Sequence, residues 1–102
     1  GSVVTIEAKV SRAFKSSMEV FMDVWTEDRE SGIRKKSNEG IYTFVAVDES
    51  GQVVPVPPII PETKLEKERF EAALRRRQLS LVIAGKMNPK DATELKALFF
   101  EE

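Results

Sequence analysis

The residue types that this chain lacks limit its chemistry. Its 102 residues include no histidine and no cysteine. A Ser-His-Asp triad, a thiol nucleophile, a zinc ribbon and a disulfide are therefore excluded. No GxGxxG, Walker loop, GxSxG or HExxH motif occurs. Chemistry would have to use carboxylates, lysines, hydroxyls or backbone amides, and we predict no catalytic residue and no metal ligand within the chain.

A first candidate site is the polar run Lys15, Ser16 and Ser17, which comes just before an apolar strand pattern. Hydroxyls in a turn usually bond the local backbone, and this is the simpler interpretation. The alternative is a polar loop end that holds an amide or a phosphate of a ligand.

A second candidate site is the basic run Arg34, Lys35 and Lys36, which enters a strand from a loop. Strand alternation places Arg34 and Lys36 on one side and Lys35 on the other. They are either edge charges that discourage aggregation or cations that bind phosphate groups.

Two further charged groups are poorer candidates. The arginines of 75–77 fan out around a helix and have no stacking aromatics between them, so a solvated helix face is favoured over nucleic-acid binding. Glu19 and Asp23 lie four residues apart in a strand, about 13 Å. This separation is too long for a retaining carboxylate pair. We expect both to be polar residues on the less buried face.

Composition indicates one globular domain. Hydrophobic residues make up 41% and charged residues 32% of the chain, and the net charge is −1, which gives no general attraction to nucleic acid or anionic membrane. No apolar run approaches the roughly 20 residues that span a bilayer. The start lacks both a signal-peptide pattern and an initiator Met, which suggests a truncated, processed or tagged form. The absence of cysteine is compatible with the cytosol.

The first sixty residues predict three strands joined as an antiparallel meander. Period-two alternation occurs at 4–10 and 18–25, and a third run covers 41–47, followed by the turn signal 48–51. The second and third runs carry apolar residues on both faces, which is typical of central strands covered on both sides. Three strands with two such faces need more partners than a meander supplies.

The remainder predicts an extended segment and two helices. Prolines in 53–61 prevent a central strand and favour an extended or polyproline II chain. Thr63 and Glu66 form a capping box for a helix over about 63–84. Asn88 and Pro89 start a second helix over about 89–100. We therefore divide the chain into residues 1–62, a sheet with its crossing segment, and residues 63–102, a helical extension.

Several segments resemble the later strands of hotdog-fold acyl-CoA thioesterases. The likeness is carried by residues 1–4, 17–20 with 24–25, 32–40, and 42–48 with Gly51. It is also carried by a tail similar to that of the brain-type cytosolic acyl-CoA hydrolases, at residues 54–57, 61–63, 66–67 and 69–71. The resemblance implies an α+β fold: part of a hotdog domain, with three long antiparallel strands and C-terminal helices. The N-terminal strand and the central helix of the family are absent from this chain, as are its catalytic acid and glycine-rich loop.

The resemblance also implies a function for the whole protein, namely hydrolysis of fatty acyl-CoA to free fatty acid and CoA without a metal. Ser17 matches a recurrent serine, Lys15 and Ser16 occupy the polar turn beside it, and Lys35 and Lys36 match a basic stretch. CoA contacts are therefore expected at these residues together with Arg34. CoA is part of the substrate and no cofactor is expected.

We expect the isolated chain to be inactive, cytoplasmic and a homo-oligomer through sheet and helix contacts, with no nucleic-acid partner and no membrane span. The alternative is a non-enzymatic module that uses an open antiparallel sheet for oligomerisation or for interaction with a partner.

Overall fold

A computed structural model of the chain describes residues 1–99 and divides the chain into two compact units, Gly1–Ile59 and a second unit that begins at Ile60. The first unit contains three strands: β1 (Ser2–Ala13), β2 (Ser17–Asp28) and β3 (Arg34–Val45). They form one antiparallel sheet in the order β1-β2-β3, which confirms the predicted meander.

Alternation gives the sheet two chemically different faces, which we call the apolar face and the charged face. Cross-strand pairs such as Ile6 with Val24 and Val20 with Tyr42 define the apolar face, whereas Glu7, Asp23 and Glu39 share the charged face. Four large side chains of the apolar face are each at least half exposed in this chain: Val4, Ile6, Tyr42 and Phe44. An apolar surface of this kind is what a further element of a domain or a partner covers.

Only β2 is central among the described strands, so the expectation that β3 is also covered on both sides is not met within this chain. Ile41, Phe44 and Val45 of β3 remain substantially exposed. The reason is topological: β3 pairs with β2 along one edge, and nothing among the described residues pairs with its other edge. The sheet is therefore open, as the apolar residues on both faces of β3 indicate.

The proline-rich segment follows the sheet without joining it as a strand, as its prolines predict. The backbone N–H of Val54 donates to the carbonyl of Ala46, and that of Val56 donates to the carbonyl of Lys15, both at 3.0 Å. The intervening Pro55 has no N–H to donate, so a regular ladder cannot form. Two isolated bonds thus hold this segment beside the turn that precedes β2.

In the second unit, α1 (Lys64–Ile83) begins with the predicted capping box. The Glu66 amide donates to the Thr63 hydroxyl at 3.1 Å, and the Thr63 amide donates to the Glu66 carboxylate at 2.9 Å. This arrangement satisfies two of the amides that a helix start leaves unpaired. No helix in the described part of the chain is long and apolar enough to cross a membrane.

The second helix, expected over about 89–100, is not continuous. The chain forms a 3₁₀ turn, Pro89–Asp91, and then a four-residue helix, α2 (Thr93–Lys96). Ala92 separates them, with φ −82° and ψ 68°, and is almost completely buried. The end of the predicted helix, residue 100, lies outside the described residues.

A tertiary contact explains the interruption between the 3₁₀ turn and α2. The side-chain oxygen of Gln78 in α1 accepts from the Leu95 amide at 3.0 Å, and its nitrogen donates to the Glu94 carboxylate at 2.8 Å. Gln78 itself is buried. A side chain distant in sequence thus takes the capping role that a local residue performs in an ordinary helix, and the local pattern alone could not predict it.

Candidate functional site

The first candidate site is the turn between β1 and β2. It is closed by a bond from the Phe14 amide to the Ser17 carbonyl at 2.8 Å. The carbonyls of Lys15 and Ser16 accept from Val56 and Ala46, so the backbone of the turn is fixed on several sides. Lys15 is exposed, Ser16 is half-buried and Ser17 is buried.

The hydroxyls of Ser16 and Ser17 make no hydrogen bond to other groups in the described part of the chain. The simpler interpretation, local bonding of turn hydroxyls, is therefore not what the structure has. Lys15 likewise forms no ion pair with another described residue. A cation and two hydroxyl groups at a fixed turn can bind a ligand that carries phosphate or amide groups.

The second candidate site lies on the charged face at the far end of the sheet. Arg34 reaches across β2 to the Glu7 carboxylate of β1 at 2.5 Å. Lys36 bridges Asp23 at 2.9 Å and Glu39 at 3.0 Å. Arg34 and Lys36 also lie over the Trp25 ring, at 4.4 Å and 5.5 Å from its centroid. Both cations are thus already partnered by acidic groups of the same chain.

These contacts have electrostatic consequences at Lys36. Its side-chain hydrogen bonds to Asp23 and then to Glu39 raise the pKa of the ammonium group above its ordinary value. A second consequence concerns Trp25, whose indole N–H is buried without an acceptor among the described residues. The two cations of this cluster thus already have anionic and aromatic partners within the described residues, so a phosphate would have to compete with these contacts.

Lys35 differs from its two neighbours. It pairs in register with Thr26, on the side opposite that of Arg34 and Lys36, as alternation predicts. It forms no ion pair with other described residues. Of the three basic residues of this run, it is the one whose charge the described part of the chain leaves unneutralised.

The six candidate residues do not form one site within a single copy of the sheet. Ser17 begins β2, whereas Arg34, Lys35 and Lys36 face Glu27, Thr26 and Trp25 near its end. Nine residues separate Ser17 from Thr26 along the strand, about 30 Å at the strand rise of ~3.3 Å per residue. The turn and the basic run are therefore two separate polar regions.

A buried carboxylate near the turn was not predicted as a functional residue. Glu19 is only 4% exposed, so its expected place on the less buried face is wrong. Its carboxylate accepts from the Ser11 hydroxyl at 2.6 Å, and Ser11 is buried as well. The same face carries the buried Phe21, which shows that this end of the charged face is covered. Asp23, further along, is half-buried.

The other charged groups that we considered do not form a further candidate site within the described residues. The arginines of 75–77 are half-buried rather than fully solvated. No group of three or more acidic residues in the described part of the chain is placed to hold a metal ion.

Comparison with known proteins shows which protein family the chain resembles. Residues 1–33 match the profile of the thioesterase superfamily. The chain is 36% identical over 81 residues to an acetyl-coenzyme A thioesterase of Mus musculus, which covers 79% of the chain and 15% of the relative. It is 43% identical over 84 residues to acyl-coenzyme A thioesterase 11 of Mus musculus, covering 82% of the chain and 14% of the relative. An uncharacterised acyl-CoA thioester hydrolase of Bacillus subtilis is 40% identical over 73 residues, with 72% and 42% covered.

Solved structures similar to this chain are also acyl-CoA thioesterases or hydrolases. A hexameric acyl-CoA thioesterase, solved in the apo state, superposes with a TM-score of 0.77 at 36% identity, covering 82% of this chain and 54% of its own. An acyl-CoA hydrolase from Bacillus cereus gives a TM-score of 0.73 at 31% identity, with 99% and 58% covered. An acyl-CoA hydrolase from Staphylococcus aureus, solved with butyryl-CoA and CoA, gives 0.71 at 29% identity, with 84% and 54% covered.

The chain spans less than half the length of each of these curated relatives and little more than half of each of these solved chains. Residues 1–33 thus match the thioesterase superfamily, and the chain resembles acyl-CoA thioesterases in sequence and carries part of their hotdog fold.

Proposed function

We propose that the protein to which these residues belong hydrolyses fatty acyl-CoA to free fatty acid and CoA. The observation that carries the proposal is the combined sequence and fold likeness to the hexameric acyl-CoA thioesterase, 36% identity at a TM-score of 0.77. A structure of the Staphylococcus aureus relative with CoA bound supports the same substrate class. CoA enters as part of the substrate, and the proposed reaction uses neither a metal nor a cofactor.

The proposed mechanism uses a carboxylate and oriented amides. The carboxylate activates water or attacks the thioester carbonyl, and backbone N–H groups stabilise the oxyanion that forms. We assign no catalytic residue to this chain. Its proposed contributions are the sheet that supports the site, the contact with CoA and the tail. The division into a sheet part, residues 1–62, and a helical extension, residues 63–102, belongs to this proposal.

The turn is the better of the two proposed CoA contacts. Lys15 has no carboxylate partner among the described residues, and the hydroxyls of Ser16 and Ser17 are uncommitted there. By contrast, Arg34 and Lys36 would have to exchange existing ion pairs for a CoA phosphate. We retain Lys35 as a secondary contact because its charge has no such partner. All six residues remain proposed CoA ligands, with the turn ranked first.

We further propose that the protein is a homo-oligomer located in the cytoplasm. The hexameric state of one relative supports the oligomer, and the exposed apolar face offers surface for association. Relatives named cytosolic acyl coenzyme A thioester hydrolase, including that of Homo sapiens, support the location. The exposed apolar face also supports the second candidate function, a non-enzymatic module that associates through its open sheet.

The proposed function is tested by measuring the release of CoA thiol from palmitoyl-CoA with a thiol reagent. The chain has no cysteine, so it contributes no background to this assay. We expect the 102-residue chain to show no turnover, and a longer form of the protein that includes the preceding region to release CoA. Turnover by the short chain, lost on substitution of one of its own residues, would contradict the assignment of catalysis to the preceding region. No turnover by any longer form would favour the non-enzymatic module.

A further inference from the structure

The buried pair Ser11 and Glu19 lies at an irregularity of the sheet. Val10 faces Val20 and Arg12 faces Glu19, so Ser11 is an extra residue in β1, a β-bulge. The Ser11 hydroxyl donates to the Glu19 carboxylate at 2.6 Å and lies 3.1 Å from the Glu19 carbonyl oxygen. One residue of the bulge is therefore linked to both the backbone and the side chain of the residue opposite.

Burial makes this pair unlike an ordinary surface contact. Ser11 is 7% exposed and Glu19 is 4% exposed. Moving a carboxylate out of water is costly unless hydrogen bonds replace its solvation. An apolar residue at this position would avoid the cost, as Phe21 does on the same face. A sheet needs no buried acid for stability alone, so the position of the pair indicates a further role.

The bulge sets the geometry of the turn. With Ser11 inserted, Ala13 faces Met18, and residues 14–17 close the hairpin through the bond from the Phe14 amide to the Ser17 carbonyl. A bulge adds local twist and re-aims the residues that follow it. Without it, the residues of β1 after position 10 would shift by one, and alternation would place each on the opposite face. The path of the chain from β1 into the turn, through Phe14, Lys15 and Ser16, thus depends on the bulge.

We propose that Glu19, acting through Ser11, is a positioning residue that fixes the bulge and so orients the turn of residues 14–17 for contact with CoA. The inference rests on the proposed CoA contact at Lys15, Ser16 and Ser17. Glu19 need not touch the ligand. Its role is to hold the three groups of the turn in the arrangement that binds phosphate and amide groups, which reduces the ordering that binding would otherwise require.

The test compares four single variants and one double variant of the 102-residue chain, with free CoA as the probe and isothermal titration as the assay. Glu19→Ala and Ser11→Ala remove the bond, whereas Glu19→Gln keeps an oxygen that accepts from Ser11. The matched control is Ser37→Ala. Ser37 is the extra residue of the bulge in β3, and its hydroxyl donates to the Val24 carbonyl at 3.2 Å, at the other end of the sheet.

We expect Glu19→Ala and Ser11→Ala each to raise the Kd for CoA about tenfold, the loss of roughly one well-placed hydrogen bond. Glu19→Gln and Ser37→Ala should stay within about twofold of the unsubstituted chain. The double variant of Ser11 and Glu19 should be no weaker than either single variant, since the two act as a unit. An unchanged Kd in Glu19→Ala would overturn the inference. An equal loss in Ser37→Ala would also overturn it, because that result would indicate a general effect on stability.

A second measurement separates this inference from the proposed CoA contact. The backbone amide signals of residues 14–17, recorded by NMR without ligand, should shift in Glu19→Ala and Ser11→Ala and not in Ser37→Ala. Unmoved signals would overturn the positioning role, whatever the affinity for CoA. If the signals move but the unsubstituted chain binds no CoA, the CoA contact at the turn is wrong and the positioning of the turn stands.

Discussion

The separation between the two polar regions leads to a prediction about CoA binding. The proposal ranks Lys15 first, and Lys35 lies at the far end of the same sheet. We therefore compare Lys15→Gln with Lys35→Gln, two substitutions that remove one positive charge each. Both side chains lack an ion pair among the described residues, so neither substitution leaves a carboxylate without its partner.

The structure gives the expected size of each effect. Lys15 is exposed, so its contact with a phosphate is discounted to the ordinary strength of a surface ion pair, about 1 kcal/mol. This corresponds to about a fivefold increase in the Kd for CoA. Lys35 lies about 30 Å away along β2, nearly four Debye lengths at physiological ionic strength. Within one copy of the sheet, a ligand held at the turn should therefore not be affected by loss of the Lys35 charge, and a secondary contact from Lys35 to that ligand would have to come from a second copy.

Titration of CoA into both variants and the double variant tests this reasoning at 0.15 M salt. The double variant should match Lys15→Gln alone, because distant sites act independently. An equal loss in both single variants would refute the claim of separate regions and would require a site built between two copies of the sheet. No loss in Lys15→Gln would remove the turn as a phosphate contact.

Three further predictions concern the parts of the chain that support the site. Thr63→Ala breaks the capping box and should lower the free energy of unfolding by about 1 kcal/mol in urea titration, whereas an unchanged value would contradict the role of the cap. Gln78→Leu removes the acceptor of the Leu95 amide and should speed hydrogen exchange at that amide about tenfold; unchanged exchange would show that the bond does not hold α2. The Asp48 pKa is lowered chiefly by its bond from the Ser50 hydroxyl, so its stabilisation of the turn is present above the ordinary value of 3.8 and is lost as pH falls through the lowered pKa. The NMR signal of the Ser50 amide should therefore shift with pH only at strongly acidic pH, and this transition should be absent in Asp48→Asn. A transition above pH 3.8 would contradict a lowered pKa of Asp48.

The sheet was predictable because its determinants are local. Alternating residues in β1 and β2 give the period of a strand, and short connections restrict the pairing to an antiparallel meander. The start of α1 was predictable for the same reason, since Thr63 and Glu66 bond to each other within one helical turn. When the residues that determine an element lie within that element, its sequence is sufficient to predict it.

The errors arise where a distant residue determines the outcome. The predicted second helix is interrupted because Gln78, in another helix, supplies the hydrogen bonds that start α2. Glu19 was expected on a less buried face because its period-two position does not reveal the bulge at Ser11 that pairs with it. No local sequence pattern predicts either the contact of Gln78 with α2 or the contact of Ser11 with Glu19.

The basic run of residues 34–36 shows how register decides the use of a charge. Alternation correctly predicted that Arg34 and Lys36 share a side, but their partners depend on which residues of β1 and β2 lie opposite. Glu7, two strands away, neutralises Arg34, and Asp23 with Glu39 neutralises Lys36. Arg34 and Lys36 on the charged face are thus neutralised by carboxylates of the same face at this end of the sheet.

The apolar face is not covered by this chain, because Val4, Ile6 and Phe44 are exposed there. Removing apolar surface from water stabilises a protein. The rest of a hotdog domain or another subunit would therefore add most stability by covering this face. That difference between the faces is a physical reason to seek the catalytic groups of the proposed thioesterase over the apolar face, and not among the paired charges of Arg34 and Lys36.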